Sequence, residues 1–443
     1  MSEPKGMSRR GVLAGIGASA GVVAMSAKSY ARVRGANDRL QVAVVGLNGR
    51  GQAHYAAFSK LPNVEVTHFV DVDALVLPKR AAEFVAKGYA APKLERDYRR
   101  VLDGRGVDIM AIATPDHWHT KLAIDSMAAS RDVYLEKPMS MAPAEGEALI
   151  AAEQRYRRTL QIGNQQRSSR ETRELADLIR AGELGDVYHG ETWYANARKS
   201  IGRGEAVAAP AHLDWDLWQG PRPRGPYRSN LVHYNWHWFW RYGTGEICNN
   251  ALHEIDVARW LMGLGYPETV DARGARHFHR GDDWEMYDTL QLDLAYGNGK
   301  TIRWDGQSCN GIARFGRGRG TLLYGTRGSA LVDRNGFEIF DLAGKSVRKV
   351  QAPAESETTG TVGEGALDML HAGNFVDVIR GRAPALNSPV GEGQVSTTIC
   401  HLGNMAYRTG AVLRIDAASG RPDNAEAMKL WALDYEPGWE VKA

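Results

Sequence analysis

Residues Leu40–Val45 form a near-continuous apolar run that passes directly into Gly46-Leu47-Asn48-Gly49-Arg50-Gly51 and then into a helix-like segment, 52–60. A strand buried on both faces reads as continuous Val and Leu rather than as an alternation. The first glycine permits a tight turn, and the last lets the helix pack closely on the strand. Free N–H groups at the start of that helix then face an anion, so the order strand, glycine turn, helix predicts a pyrophosphate site built from Gly46, Asn48, Gly49, Arg50 and Gly51. Asn48 stands where a second glycine is usual. Asparagine enters the left-handed region more readily than most side chains, so the substitution weakens the match without destroying it.

The next strand, Val64–Val70, ends in Asp71, twenty residues beyond Gly51. An acidic side chain at that spacing accepts hydrogen bonds from ribose hydroxyls, and Asp71 with Asp73 would repel a 2′-phosphate, so NAD is expected over NADP. A helix at 82–87 and a short element at 97–102 precede strand 107–113, which runs into Thr114-Pro115-Asp116-His117-Trp118-His119 and a helix at 120–129. Thr114, Pro115, His117 and His119 are expected along the nicotinamide side of the crevice. No ligand set closes around the two histidines, so no metal is expected. Strand 133–135 ends in Glu136-Lys137-Pro138. The carboxyl ends of strands in a doubly wound sheet face the ligand crevice, which places Glu136 and Lys137 beside cofactor and substrate. A helix at 143–157 and a strand at 159–163 lead to Asn164-Gln165-Gln166-Arg167, another polar cluster at a strand end. Gln165 is assigned to the cofactor and Arg167 to the substrate.

At 443 residues the chain is too long for one ordinary core. The expected fold is α/β: a Rossmann doubly wound parallel sheet over 37–158, followed by an α+β substrate domain over 159–443. With 55 Lys+Arg against 52 Asp+Glu and no long basic run, nucleic acid is excluded as a partner. Ahead of the first domain, Ser8-Arg9-Arg10 precedes Gly11-Val12-Leu13 and a Gly/Ala-rich run without acidic residues to about Ala27. This is the layout of a twin-arginine signal peptide, 1–31, which implies the twin-arginine export machinery as a partner and a periplasmic or otherwise exported location. No other stretch is long and apolar enough to span a bilayer, so no stable membrane insertion is expected. Cys248, Cys309 and Cys400 match no metal-ligand spacing and read as buried thiols.

In the second half, 186–196 reads as a strand and 202–229, dense in Gly, Pro and Arg, as a long excursion with a short helical turn at 214–218. Of the twelve Trp, nine crowd between Trp193 and Trp304, and the window Tyr234-Asn235-Trp236-His237-Trp238-Phe239-Trp240 is the most aromatic in the chain. It reads either as a packed plug or as a wall on which a sugar's C–H face stacks, with Trp236 and His237 as its candidates. Gly243-Thr244-Gly245-Glu246 then opens a helical stripe, Leu252, Ile255, Val257 and Trp260, with Asn249, His253 and Asp256 on one face. Strands follow at 270–278, 287–295, 300–308 and within 320–331, an exposed polar segment at 353–361, and helices at 366–380 and 394–410.

The glycine turn, Ala113-Thr114-Pro115, Glu136-Lys137-Pro138 and the stretch from Gly245 through His253 to Gly263 together resemble the glucose-fructose oxidoreductase, inositol dehydrogenase and rhizopine-catabolism (Gfo/Idh/MocA) family, over essentially the whole mature chain. The resemblance implies a large, mostly antiparallel sheet in the second domain and places His253 beside a sugar and the nicotinamide. The family usually has Asp where this chain has Asn249, which removes a carboxylate from the proton relay. The expected chemistry is hydride transfer between a sugar or sugar-derivative hydroxyl and a tightly bound NAD(P). In it His253 takes the proton, Lys137 stabilises developing charge, Asn249 orients, and Arg167, Trp236, His237 and His253 hold the carbohydrate. Two alternatives stand beside it. One is redox-neutral, NAD-dependent glycoside hydrolysis, whose practitioners in the family tend to lack the lysine of the tripeptide; the other is a sugar-binding protein without catalysis. An exposed face of a large sheet predicts a homo-oligomer.

Overall fold

A computed structural model describes residues 39–352 and 365–443. The leader at 1–31 and the segment at 353–361 lie outside the described residues. Six parallel strands, in the order β3-β2-β1-β4-β5-β6, make the first sheet: β1 (Leu40–Val45), β2 (Val64–Val70), β3 (Lys93–Glu95), β4 (Ile109–Ile112), β5 (Asp132–Leu135) and β6 (Leu160–Ile162). Strands β1 and β4 are central, and Val42, Val44, Ile109 and Ile112 are completely buried. That is why both run apolar without alternation. The order reverses between β1 and β4, and the crevice of an open α/β sheet lies at such a point. Helices Gly51–Ser59 and Val76–Ala86 cover one face through Tyr55, Phe58 and Phe84; His119–Ala128 and Pro143–Tyr156 cover the other through Leu122, Met127 and Leu149. Because β6 pairs with β5, the first sheet closes after Ile162, a few residues beyond the boundary expected at 158.

Nine strands form the second sheet in the order β14-β13-β12-β11-β7-β10-β9-β8-β15. They are β7 (Val187–Ala195), β8 (Thr269–Ala275), β9 (Thr289–Ala295), β10 (Thr301–Gln307), β11 (Arg319–Gly325), β12 (Ser329–Asp333), β13 (Gly336–Phe340), β14 (Ser346–Gln351) and β15 (Leu413–Arg414). All neighbours are antiparallel except β7 and β10. Leu290, Leu292, Leu294, Ile302 and Trp304 alternate onto the face covered by helices Leu252–Met262 and Val390–Thr409. The stretch 320–331, expected to continue the sheet with turns of its own, holds most of β11 and the start of β12, because the chain reverses between Gly325 and Ser329. Strand β14 carries no apolar alternation and is mostly exposed, so periodicity could not reveal it.

Two long-range returns shape the site. Helix Ala366–Ile379 comes back to the first domain and packs Phe375 against Phe58 and Tyr134. The excursion after β7 docks beside the carboxyl end of β2, where Ala74 N donates to His212 O at 2.9 Å and Asp214 N to Val72 O at 3.1 Å. Among the described residues no helix is long and apolar enough to cross a membrane.

Candidate active site

A crevice of about 920 Å³ runs between the two sheets. On the first-domain wall the turn after β1 is fixed at two glycines. Gly46 has φ +83°, and a Cβ there would lie 2.6 Å from Ala113 O; a Cβ on Gly51 would lie 1.9 Å from Gly46 O. A Cβ on Gly49 would meet nothing within 4 Å, so the crest of the turn is open. Among the described residues no acceptor engages the backbone N–H of Asn48, Gly49 or Arg50. Open space, free N–H groups and a helix N-terminus fit a dinucleotide's pyrophosphate. Asp71 lines the crevice next to this turn, where its Oδ2 accepts from Leu47 N at 2.8 Å and its Oδ1 from Asp73 N at 3.0 Å. Burial raises its pKa above the ordinary value despite those two donors. Asp73 does not share that role. It is turned away between His212 Nδ1 and His233 Nε2, each 2.9 Å distant, so of the two only Asp71 lines the crevice.

Glu136 and Lys137 follow β5. The buried Glu136 accepts from Arg50 Nε at 2.8 Å, Gln165 Nε2 at 2.8 Å and Lys137 N at 3.2 Å, with His54 Nε2 at 3.0 Å. Burial alone would raise its pKa; Arg50 and His54 outweigh that and hold the carboxyl well below the usual carboxylate range. Glu136, Arg50 and Gln165 are therefore one network on the crevice wall, joined by Asp368, which also pairs with Arg50. Lys137 Nζ donates to Asn249 O at 2.6 Å and lies 3.3 Å from Asn249 Oδ1. Burial lowers its pKa while Glu136 and Asp116 oppose the shift. Thr114 and Pro115 line the crevice, and His119 braces them, its ring nitrogens 2.9 Å from Thr114 O and 2.6 Å from Pro138 O. His117, expected beside the nicotinamide, is not on the crevice. Its Nε2 lies 2.8 Å from Trp218 O with the ring packed on Trp218 and Tyr242, and burial pushes its pKa down to about 3.

The opposite wall comes from the second domain. Ile247–Ala251 is a π-helical turn leading into helix Leu252–Met262, so the chain is wider at Asn249 than a regular helix and the expected single face is split. Asn249 and His253 reach the crevice. Asp256 points beneath it and holds Arg167, with Nε–Oδ2 at 2.8 Å and Nη2–Oδ1 at 2.9 Å, while Glu392 approaches Arg167 Nη2 at 3.0 Å. Arg167 is thus a buried structural cation that does not line the crevice, its Nε and Nη2 spent on two carboxylates, and not a substrate ligand. Trp236 and His237 line the crevice, stacked with ring centroids 3.6 Å apart. Burial drives the His253 pKa well below its ordinary value, and Arg334, Lys137, Arg319 and Arg50 push it further the same way, so its imidazole is neutral.

Sequence reasoning missed several crevice residues. Asp116 lay inside a quoted motif; it accepts from Thr244 Oγ1 at 2.6 Å, and burial lifts its pKa to about 7. Tyr194, Asn196, Arg198, Arg319 and Arg334 stand at strand ends of the second sheet and had no local signal. Among the described residues no group of three or more His, Cys, Asp or Glu could hold a metal ion.

The model of the oxidoreductase family with an NAD-binding Rossmann fold (GFO_IDH_MocA) matches residues 40–164, and that of the GFO/IDH/MocA C-terminal domain matches 172–331. Curated relatives include glycosyl hydrolase family 109 proteins of Shewanella woodyi, 28% identical over 159 residues (35% of this chain, 34% of the relative), and of Shewanella sp. strain ANA-3, 26% identical over 159 residues (35% of each). The match thus spans about a third of the length of these relatives. Solved structures of the same fold include the aldose-aldose oxidoreductase from Caulobacter crescentus complexed with glycerol (TM-score 0.64, 19% identity, 85% of this chain and 100% of that one). The WlbA dehydrogenase from Bordetella pertussis in complex with NADH and UDP-GlcNAcA is another (TM-score 0.63, 18% identity, 85% and 99%).

Proposed function

Because the chain belongs to the Gfo/Idh/MocA family of NAD-binding oxidoreductases, we propose that it transfers a hydride between a hydroxyl-bearing carbon of a sugar or sugar derivative and NAD held in the crevice. One observation carries this reading. Lys137 of the first domain meets Asn249 of the second at 2.6 Å, so the ammonium and the π-turn leading to His253 close on the same space that the glycine turn opens. Bound NAD supplies the hydride acceptor for the carbon. Lys137 hydrogen-bonds the reacting oxygen and stabilises its developing charge, and Asn249 holds the ammonium in place. The neutral imidazole of His253 accepts the hydroxyl proton. Trp236 and His237 offer a stacked aromatic edge for the sugar's C–H face.

The test is spectroscopic. Protein loaded with NADH should lose its reduced-nicotinamide absorbance when an acceptor sugar is added, and Lys137→Ala should lower kcat about a hundredfold or more with nucleotide still bound. Near-normal turnover by that variant sinks the assignment. A lack of any absorbance change across the sugar panel, with no phenol released from aryl glycosides, would return the protein to a sugar-binding role. The glycosyl hydrolase family 109 relatives favour a second reading, redox-neutral glycoside hydrolysis. Phenol release from aryl glycosides, without any second sugar, would establish it.

Two further proposals concern setting. The Arg9-Arg10 pair and the acid-free run behind it support export by the twin-arginine route to the periplasm, with the cofactor carried inside the folded protein. Self-association is assigned to the face of the second sheet away from its helices, where Tyr324 and Phe340 are only partly buried around Trp193, Leu322 and Leu331.

A further inference from the structure

The second-domain wall of the crevice carries more positive charge than its carboxylates neutralise. Arg198 is engaged by Glu246, with Nε–Oε2 at 2.7 Å, and Arg317 by Asp333 at 2.9 Å. Arg319, at the start of β11, donates Nε to Glu254 Oε1 at 2.7 Å, and its Nη1 lies 3.3 Å from Asn250 Oδ1. Its Nη2 is buried and has no partner among the described residues. Arg334, in the turn between β12 and β13, makes no hydrogen bond or ion pair with any described side chain, although it is half-buried and lines the same crevice as Lys137 and His253. The charge acting on it most is Arg319, a second cation; Glu254, Arg50 and Asp368 follow. Burial and these cations lower its pKa to about 9. Among the described residues Lys137 Nζ has only oxygens of Asn249 at hydrogen-bond distance.

An unpaired guanidinium held in a half-buried wall is costly unless a ligand completes it, and the planar fork of arginine matches a carboxylate or a phosphate. We propose that the sugar entering this crevice carries an anionic group, a carboxylate or a phosphate ester, held by Arg334 and the free Nη2 of Arg319 while the reacting hydroxyl faces Lys137 and His253. This rests on the sugar oxidoreductase reading and narrows its substrate class to acidic sugars. The cofactor's pyrophosphate has its own complement at the glycine turn, in the free N–H groups of Asn48, Gly49 and Arg50. A bound anion has a second effect. Arg334 and Arg319 are among the cations that hold His253 uncharged, so an anion seated on them eases the imidazole toward accepting the substrate's proton.

Binding to the NADH-loaded protein tests the idea, read by calorimetry so that turnover is not required. Glucuronate, galacturonate and glucose 6-phosphate are compared with glucose and galactose. At least one acid should bind tenfold or more tightly than its neutral parent, and the uronates against the phosphate ester tell which anion the fork prefers. Arg334→Met should erase that preference, Arg334→Lys should restore part of it, and nucleotide content and melting temperature should stay those of the parent protein. Equal affinity for acids and neutral parents, or no binding of any acid, overturns the inference. So does an Arg334→Met protein that keeps the acid preference but purifies without nucleotide, since Arg334 would then serve the cofactor's phosphates. An acid that binds tightly yet changes the nicotinamide absorbance of neither the NAD+-loaded nor the NADH-loaded protein would defeat the oxidoreductase reading and leave the anion site standing.

Discussion

The two walls of the crevice are built on different principles. On the first-domain wall, recognition is carried by backbone: a turn fixed by Gly46 and Gly51, unpaired N–H groups, and one carboxylate, Asp71, placed by the next strand. These three stand between the end of β1 and the residue that follows β2. On the second-domain wall, recognition is carried by long side chains from β7, β11, the β12–β13 turn and the π-turn, balanced against carboxylates that are distant in sequence. The first wall suits a ligand that never changes, and the second can be retuned by one substitution.

That division makes separable predictions. The largest effect is expected from Gly51→Val, because even its Cβ would lie 1.9 Å from Gly46 O, a backbone atom that cannot yield cheaply. The variant should purify without nucleotide, as shown by the absorbance ratio of the isolated protein. Retention of full nucleotide would break the claim that the turn defines the first wall. His253→Asn should do the reverse, keeping nucleotide while kcat falls about 10²- to 10⁴-fold, the range for losing a general base. A variant that lost nucleotide instead would join the two walls into one functional unit. A smaller loss is expected from Asp71→Asn. Removing a charged acceptor costs about 1.5–3 kcal/mol, so NAD should bind roughly tenfold or more weakly, with the preference over NADP reduced, in titrations of nucleotide-free protein.

The last effect is a slope in pH, read on stability and not on turnover or nucleotide binding. Asp116 titrates at about 7 in the folded protein because it is buried, against about 3.9 in an unfolded chain. Between these values the folded state keeps a proton that the unfolded state has lost, so this group makes stability fall as pH rises from about 4 to about 7. Asp116→Asn keeps an acceptor for Thr244 and should flatten that fall, seen as melting temperatures that converge with the parent's at the acid end and exceed them near neutrality. Parallel curves would show that Asp116 does not titrate there.

Most of the first wall was legible in the sequence because its determinants are local. Gly46, Gly51 and Asp71 sit at strand ends separated by fixed spacings, and Glu136-Lys137 closes a short apolar strand. His253 was legible through its helical stripe and family resemblance. Arg167 and His117 were misread for one reason: a polar residue at a strand end looks the same whether it faces a ligand or a buried partner. Their partners, Glu392 and the carbonyl of Trp218, are brought in only by folding. The arginines of β11 and the following hairpin were not legible at all, since a charged residue at a strand end reads as solvated surface.

The sequence by itself determined the dinucleotide half: which strands are central, where the turn opens, and which acid follows it, since these depend on steric and hydrogen-bonding rules acting over short spans. Only the tertiary structure decided which charges survive into the crevice. Neutralisation is a through-space property, and Arg334 and Arg319 became candidate ligands only once folding assigned the neighbouring carboxylates to other cations.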